Sequence, residues 1–173
     1  MDFLDLAKKR SSVRKFKSRK VEAEKLQKIL EAGRVAPTAG NTQPQLVLVI
    51  QTDEGFEKLK KSGNIYGAPL ALIVCADHSA SWKRPFDGKD TADIDTAIVS
   101  THMILQAEEL GLSSIWVGYF KPDVLASEFS LPDGVEPISI LGIGYAQDGA
   151  PKSPNRHDTD RKPVSDTVRY ESF

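Results

Sequence analysis

The chain has 173 residues, a formal charge of −1, 40% hydrophobic residues and 27% charged ones. That balance belongs to a folded domain with room for a core, and without a Lys/Arg block it excludes a nucleic-acid surface built on excess base. The one cysteine, Cys75, excludes an intrachain disulfide, while the charged start "MDFLDLAKKR" and the lack of any ~20-residue apolar run exclude a signal peptide and a membrane span, so a cytoplasmic protein is expected.

Residues 2–10 place Phe3, Leu6 and Ala7 on one face, acids first and bases last, which predicts a short helix. Residues 21–36 put Leu26, Ile29, Leu30 and Gly33 at helical spacing and stop at Pro37. "LVLVI" (46–50) predicts a buried strand. Residues 53–61 predict a surface helix with Phe56 and Leu59 inward. "PLALIVCA" (69–76) predicts a second buried strand. Residues 77–93 lack periodicity and form a long polar loop holding Trp82, Lys83, Arg84 and Phe86, the kind of segment that serves as a lid. Residues 93–111 are apolar on most sides, as in a helix buried in a core or a subunit interface. A strand over 112–120, a helix over 121–129 with Pro122 in its first turn, and a strand over 137–146 follow. From Ala150 the chain turns polar, and is either disordered or an arm laid along another surface. Alternating helices and strands predict an α/β or α+β fold on one sheet.

Four stretches carry chemistry. In "RSSVR", an extended backbone would put Arg10, Ser12 and Arg14 on one side, two guanidiniums and a hydroxyl suited to a phosphate. The alternative is a basic cluster answering a helix dipole. "APTAGNTQPQ" is richer in donors and acceptors than a connector requires. Thr38, Asn41, Gln43 and the amides of Ala39 and Gly40 suit a hydroxyl-rich ligand, or else a turn closed by its own side chains. "GLSSIWVGYF" offers a flat Trp wall followed by a glycine, or an ordinary core Trp at a strand end. "DRKP" (160–163) adds Arg161 and Lys162 to an anion site, or is a solvated tail.

In this order the four stretches resemble the nitroreductase family of FMN-dependent oxidoreductases. The family pattern is R-x-S-x-[R/K], then P-[S/T]-x-x-N-x-Q-P, a late G-L-x-x-x-W-x-G, and a basic patch near the C-terminus. The resemblance runs from about residue 3 to the C-terminus. It implies an α+β fold in three layers, a central mixed and mainly antiparallel sheet flanked by helices, in an intertwined homodimer. It implies a single domain over 1–173 with 150–173 as a C-terminal arm. By resemblance Arg10, Ser12 and Arg14 hold the FMN phosphate and ribityl chain, with Ser11 adding a backbone contact. Arg14 alternatively faces the pyrimidine edge of the flavin. Pro37, Thr38, Ala39, Asn41 and Gln43 reach FMN from the partner subunit. Trp116, Val117 and Gly118 lie against the isoalloxazine, the Gly118 amide toward N5 where the chemistry occurs. Arg161 and Lys162 complete the site, which needs no metal. The implied activity is ping-pong reduction of nitroaromatics, quinones or related small acceptors by NAD(P)H. Two alternatives stand beside it: a flavin-binding redox module without steady turnover, and a specialised relative that dehalogenates or fragments flavin.

Overall fold

The fold follows from one strand. In the computed structural model, which describes residues 2–150 and 156–173, β2 (Leu70–Asp77) is buried on both faces. Leu70, Leu72 and Val74 enter one core, and Ala71, Ile73 and Cys75 enter the other. A strand alternates its side chains between faces, so a continuous apolar run requires cover on both sides. The cover on one side is α2 (Ala23–Arg34) with α4 (Ala92–Glu109), and on the other α3 (Asp53–Ser62) with α5 (Pro122–Glu128). The result is the expected three layers.

The sheet order is β1-β2-β4-β3, with β1 at Gln45–Ile50, β3 at Ser113–Val117 and β4 at Val135–Gly144. Every strand pair is antiparallel. Among the described residues a parallel contact enters where Ser12, outside the strands, bridges Ser114. β1 differs from the expectation of a buried strand: only Ile50 is buried, and Leu46 is 48% exposed. β1 is an edge strand with only β2 beside it, whereas the other edge strand, β3, gains the 12–13 segment as a neighbour and stays buried, although β1 is as apolar in sequence as β2.

Helix ends obey local rules. The Thr52 hydroxyl caps α3 by accepting the Gly55 N–H at 3.2 Å, and Pro122 starts α5. In β4, a Cβ on Gly144 would lie 2.5 Å from Pro69 Cδ, so this close crossing admits only glycine. α1 (Phe3–Lys9) rests against α4. The inner face of α4 buries Val99, Met103 and Ala107, while Ile94 stays 47% exposed. Outside α4 runs a groove of about 870 Å³, lined among others by Phe3, Leu6, Val35, His102 and Leu105.

After the strands come two single-turn helices, α6 (Arg156–Thr159) and α7 (Val164–Thr167). Residues 151–155 of the expected 150–173 arm lie outside the described residues. The arm is exposed, including Val164, Val168, Tyr170 and Phe173. Among the described residues no helix is long and apolar enough to cross a membrane.

Candidate functional site

The segment after α1 runs extended beside β3. The Val13 N–H donates to the Ser114 carbonyl at 3.0 Å, and the Lys17 N–H to the Tyr145 carbonyl at 2.8 Å. Val13 is buried, Arg10, Ser11 and Ser12 are half-buried, and Arg14 is exposed. Val13 thus points into the core, while Arg10, Ser11 and Ser12 stay partly open and Arg14 faces outward. The Ser114 hydroxyl is buried close to Ser12, and its Oγ has no hydrogen-bond partner among the described residues.

Arg10 ends α1, and the tail returns to it. His157 Nε2 lies 2.9 Å from the Lys8 carbonyl, which docks α6 against α1. Burial pulls the Arg10 guanidinium below its ordinary value, and the charge of Arg156 adds to this; Glu108 opposes, and Arg161 again lowers it. Arg10, Arg156 and Arg161 thus share one electrostatic neighbourhood with Glu108, itself 3.4 Å from Lys9 Nζ. An excess of fork-shaped cations over anions is what a phosphate dianion would balance. The structure brings Arg161 to Arg10 and adds Arg156, which sequence reading missed. Lys162 is exposed.

Farther along β3 the three expected residues part company. Trp116 is half-buried against the core on the α2/α4 side. Val117 is 6% exposed in the opposite core, so its side chain is closed to a ligand and only its backbone remains. Gly118 is exposed, and a Cβ there would meet nothing within 4 Å. Neither packing nor a left-handed backbone demands glycine at this position. The backbone there is open to close approach by a ligand. Tyr119 follows at 97% exposure. The Arg14 guanidinium stands 5.8 Å from the centre of the Tyr66 ring, and Gly63 bridges Phe120. Arg14 and Tyr66 therefore belong to the Gly118 end of the strand, away from Arg10.

The 37–44 loop forms a second group. Asn41 and Gln43 are exposed in left-handed conformations, with φ of 54° and 51°. Asn tolerates that region well, and Gly40 shares it at 57°. The Thr38 hydroxyl accepts the Gln43 N–H at 3.1 Å, and Gln43 Nε2 donates to the Asn41 carbonyl at 3.2 Å. Pro37 is exposed and Pro44 buried. The Ala39 amide, expected to face a ligand, instead donates to Asp95 Oδ1 at 2.9 Å.

Loop 77–93 is more ordered than its sequence suggests. Lys83 bridges Asp90, the Arg84 N–H donates to the Lys89 carbonyl at 3.0 Å, and Arg84 pairs with Asp87. These contacts make a small hairpin with Phe86 at its tip, 96% exposed. Its base is pinned by His78, with Nδ1 3.0 Å from Asp90 and Nε2 3.0 Å from Glu136. Asp90 most of all holds this imidazole above its ordinary value; burial works against it, and Glu136 adds a lesser raise.

The two groups sit at opposite edges of the sheet. Ser114 faces Ile143 of β4, whereas Gln45 faces Ala76, which faces Glu136. With a rise of about 3.3 Å per residue and strands about 4.8 Å apart, these anchor points stand on the order of 25 Å from each other. One chain does not gather both groups around one small ligand.

A helix-covered antiparallel sheet thus carries a guanidinium cluster at one edge strand and a polar loop at the other. The chain belongs to the nitroreductase family, whose profile matches residues 7–62 and 56–145. It is 31% identical over 93% of its length, and 85% of the relative's, to a protein of Methanothermobacter thermautotrophicus provisionally named NADH dehydrogenase/NAD(P)H nitroreductase. A nitroreductase family protein from Clostridium difficile 630 is 57% identical in structure-based comparison, covers 100% of both chains and has a TM-score of 0.96. An FMN-dependent nitroreductase from Clostridium difficile R20291 is 30% identical, with a TM-score of 0.79 over 98% of this chain and 99% of the other.

Proposed function

We propose that this protein is an FMN-dependent, NAD(P)H-consuming oxidoreductase acting on nitroaromatic, quinone or related small acceptors, and that it works as a homodimer. The observation that carries the reading is the gathering of Arg10, Arg156 and Arg161 at one end of β3 while Gly118 stands open at the other. From Ser114 to Gly118 is about 13 Å at a strand's rise. That length suits a phosphate at the arginines and a ring system at the glycine. Arg10 and Arg161 would hold the phosphate, with the Ser12 and Ser114 hydroxyls nearby. Arg14, beside Tyr66, suits the pyrimidine edge, where a cation favours electron-rich flavin. Bound there, FMN would supply two-electron chemistry, taking hydride from NAD(P)H and passing it to an acceptor. The chain's own work is to hold the ring so that the open Gly118 backbone can hydrogen-bond it.

The separation of the two groups supports a dimer. A second copy laid on the α4 groove would bring its 37–44 loop to the first copy's arginines. Pro37, Thr38, Asn41 and Gln43 would then reach the cofactor across the interface, as the family resemblance implies. The exposed apolar residues of the arm, Val164 and Tyr170 among them, would cover the partner. A cytoplasmic setting suits the buried Cys75, whose thiol burial pushes up to about 11 and renders inert.

Steady-state kinetics test the reading. NADPH oxidation measured against a nitroaromatic and a quinone should give parallel double-reciprocal lines. FMN binding without oxidation of either nicotinamide would instead favour a non-catalytic redox module.

A further inference from the structure

Asp95 is a carboxylate at 1% exposure on the inner face of α4. Its Oδ1 accepts the Ala39 amide at 2.9 Å, and its Oδ2 lies 3.2 Å from the Thr91 hydroxyl. Thr91 also reaches the Trp82 carbonyl, through its N–H at 3.1 Å and its hydroxyl at 3.0 Å. The Trp82 indole in turn lies on Gly40, where an added Cβ would stand 3.2 Å from Cδ1. Hence α4 grips the 37–44 loop at Ala39, the hairpin grips it at Gly40, and Thr91 links the two grips.

We infer that Asp95 is a positioning residue that fixes the 37–44 loop for the cofactor and ties it to the 78–91 hairpin. The inference rests on the flavin reading above for its consequence, though not for its geometry. Gln43 takes a left-handed conformation that a Gln in an isolated chain disfavours, so the loop needs holding. Asp95 acts on the ligand only through the loop.

The atoms define a discriminating pair of variants. The Thr91 hydroxyl has one proton, which cannot serve Asp95 and Trp82 together. In Asp95→Asn the amide oxygen still accepts from Ala39. The new NH2 donates to the Thr91 oxygen, which frees the Thr91 proton for Trp82. Asp95→Ala leaves the Ala39 amide without its acceptor.

Hydrogen exchange across residues 36–45 and FMN titration test this together. Asp95→Ala should exchange faster in that segment, with β2 and β4 unchanged, and should bind FMN about tenfold or more weakly. Asp95→Asn should restore both, which a bulk packing defect would not allow. Should Asp95→Ala fail to fold, Thr91→Val gives the second test, since it cuts the tie to the hairpin and should speed exchange in both segments. Wild-type exchange in the loop of folded Asp95→Ala or folded Thr91→Val would overturn the inference. Faster exchange in a protein whose wild type binds no FMN would keep the positioning role and discard the flavin reading instead.

Discussion

Replacing Arg10 with alanine separates a cofactor contact from a structural one. Arg10 is half-buried and feels the charges of Arg156, Glu108 and Arg161. Loss of a charge-assisted phosphate contact costs about 1.5–3 kcal/mol. This corresponds to a rise in FMN Kd of about 10- to 150-fold. The flavin-free protein should behave differently. Removing one of three like charges relieves repulsion, and Glu108 keeps Lys9 at 3.4 Å. Its stability should stay within about 0.5 kcal/mol of wild type or rise. Arg10→Lys should recover part of the affinity, since it restores the charge without the fork. Quenching of FMN fluorescence gives the Kd, and melting of flavin-free protein gives the stability. A variant that binds FMN like wild type but melts earlier would make Arg10 a helix-end residue and refute the argument.

Three further outcomes are expected. His78 is raised by Asp90 and Glu136, with Lys83 and Asp77 the other charges near it. A raised folded value means the clamp is complete below the unfolded value of about 6.5 and fades as pH climbs through the folded one. The melting difference between wild type and His78→Gln should thus shrink toward alkaline pH, and a constant difference would show that the clamp carries no net charge effect. Gly144→Ala drives a Cβ to 2.5 Å from Pro69 Cδ, and should cost about 1–3 kcal/mol in urea unfolding. An unchanged midpoint would mean that the Pro69 loop yields freely. Ending the chain at Ala150 removes Arg156, Arg161 and the arm, so sedimentation should show a weaker dimer and titration a weaker FMN complex. A stable dimer with full affinity would make the arm dispensable.

Much of this was legible in the sequence, for reasons particular residues make plain. β2 announced itself because both its faces are covered, and "RSSVR" because alternation puts Val13 inward and Arg10 and Ser12 aside. β1 misled because an edge strand and a central one are equally apolar in sequence. Trp116 and Val117 were expected at the ligand by resemblance, yet Val117 is spent on the core. The grip of Asp95 on Ala39 spans 56 residues, beyond any local pattern. A signal for it did exist: Asp95, Val99 and Met103 recur every four residues, which places a carboxylate on the buried face of α4 and demands a partner. The convergence of Arg156 and Arg161 on Arg10 had no local signal, since it depends on where the tail docks. The hairpin within 77–93 was hidden because its contacts join polar residues without a period.

The account turns on one cofactor seated between Arg10 and Gly118, and the visible absorbance spectrum of the purified protein tests that most directly. The expected result is a yellow protein, or one that turns yellow on stoichiometric FMN, with a flavin band that bleaches when NADPH or NADH is added without oxygen. A folded protein that stays colourless, takes up no FMN and leaves the nicotinamide untouched would contradict it.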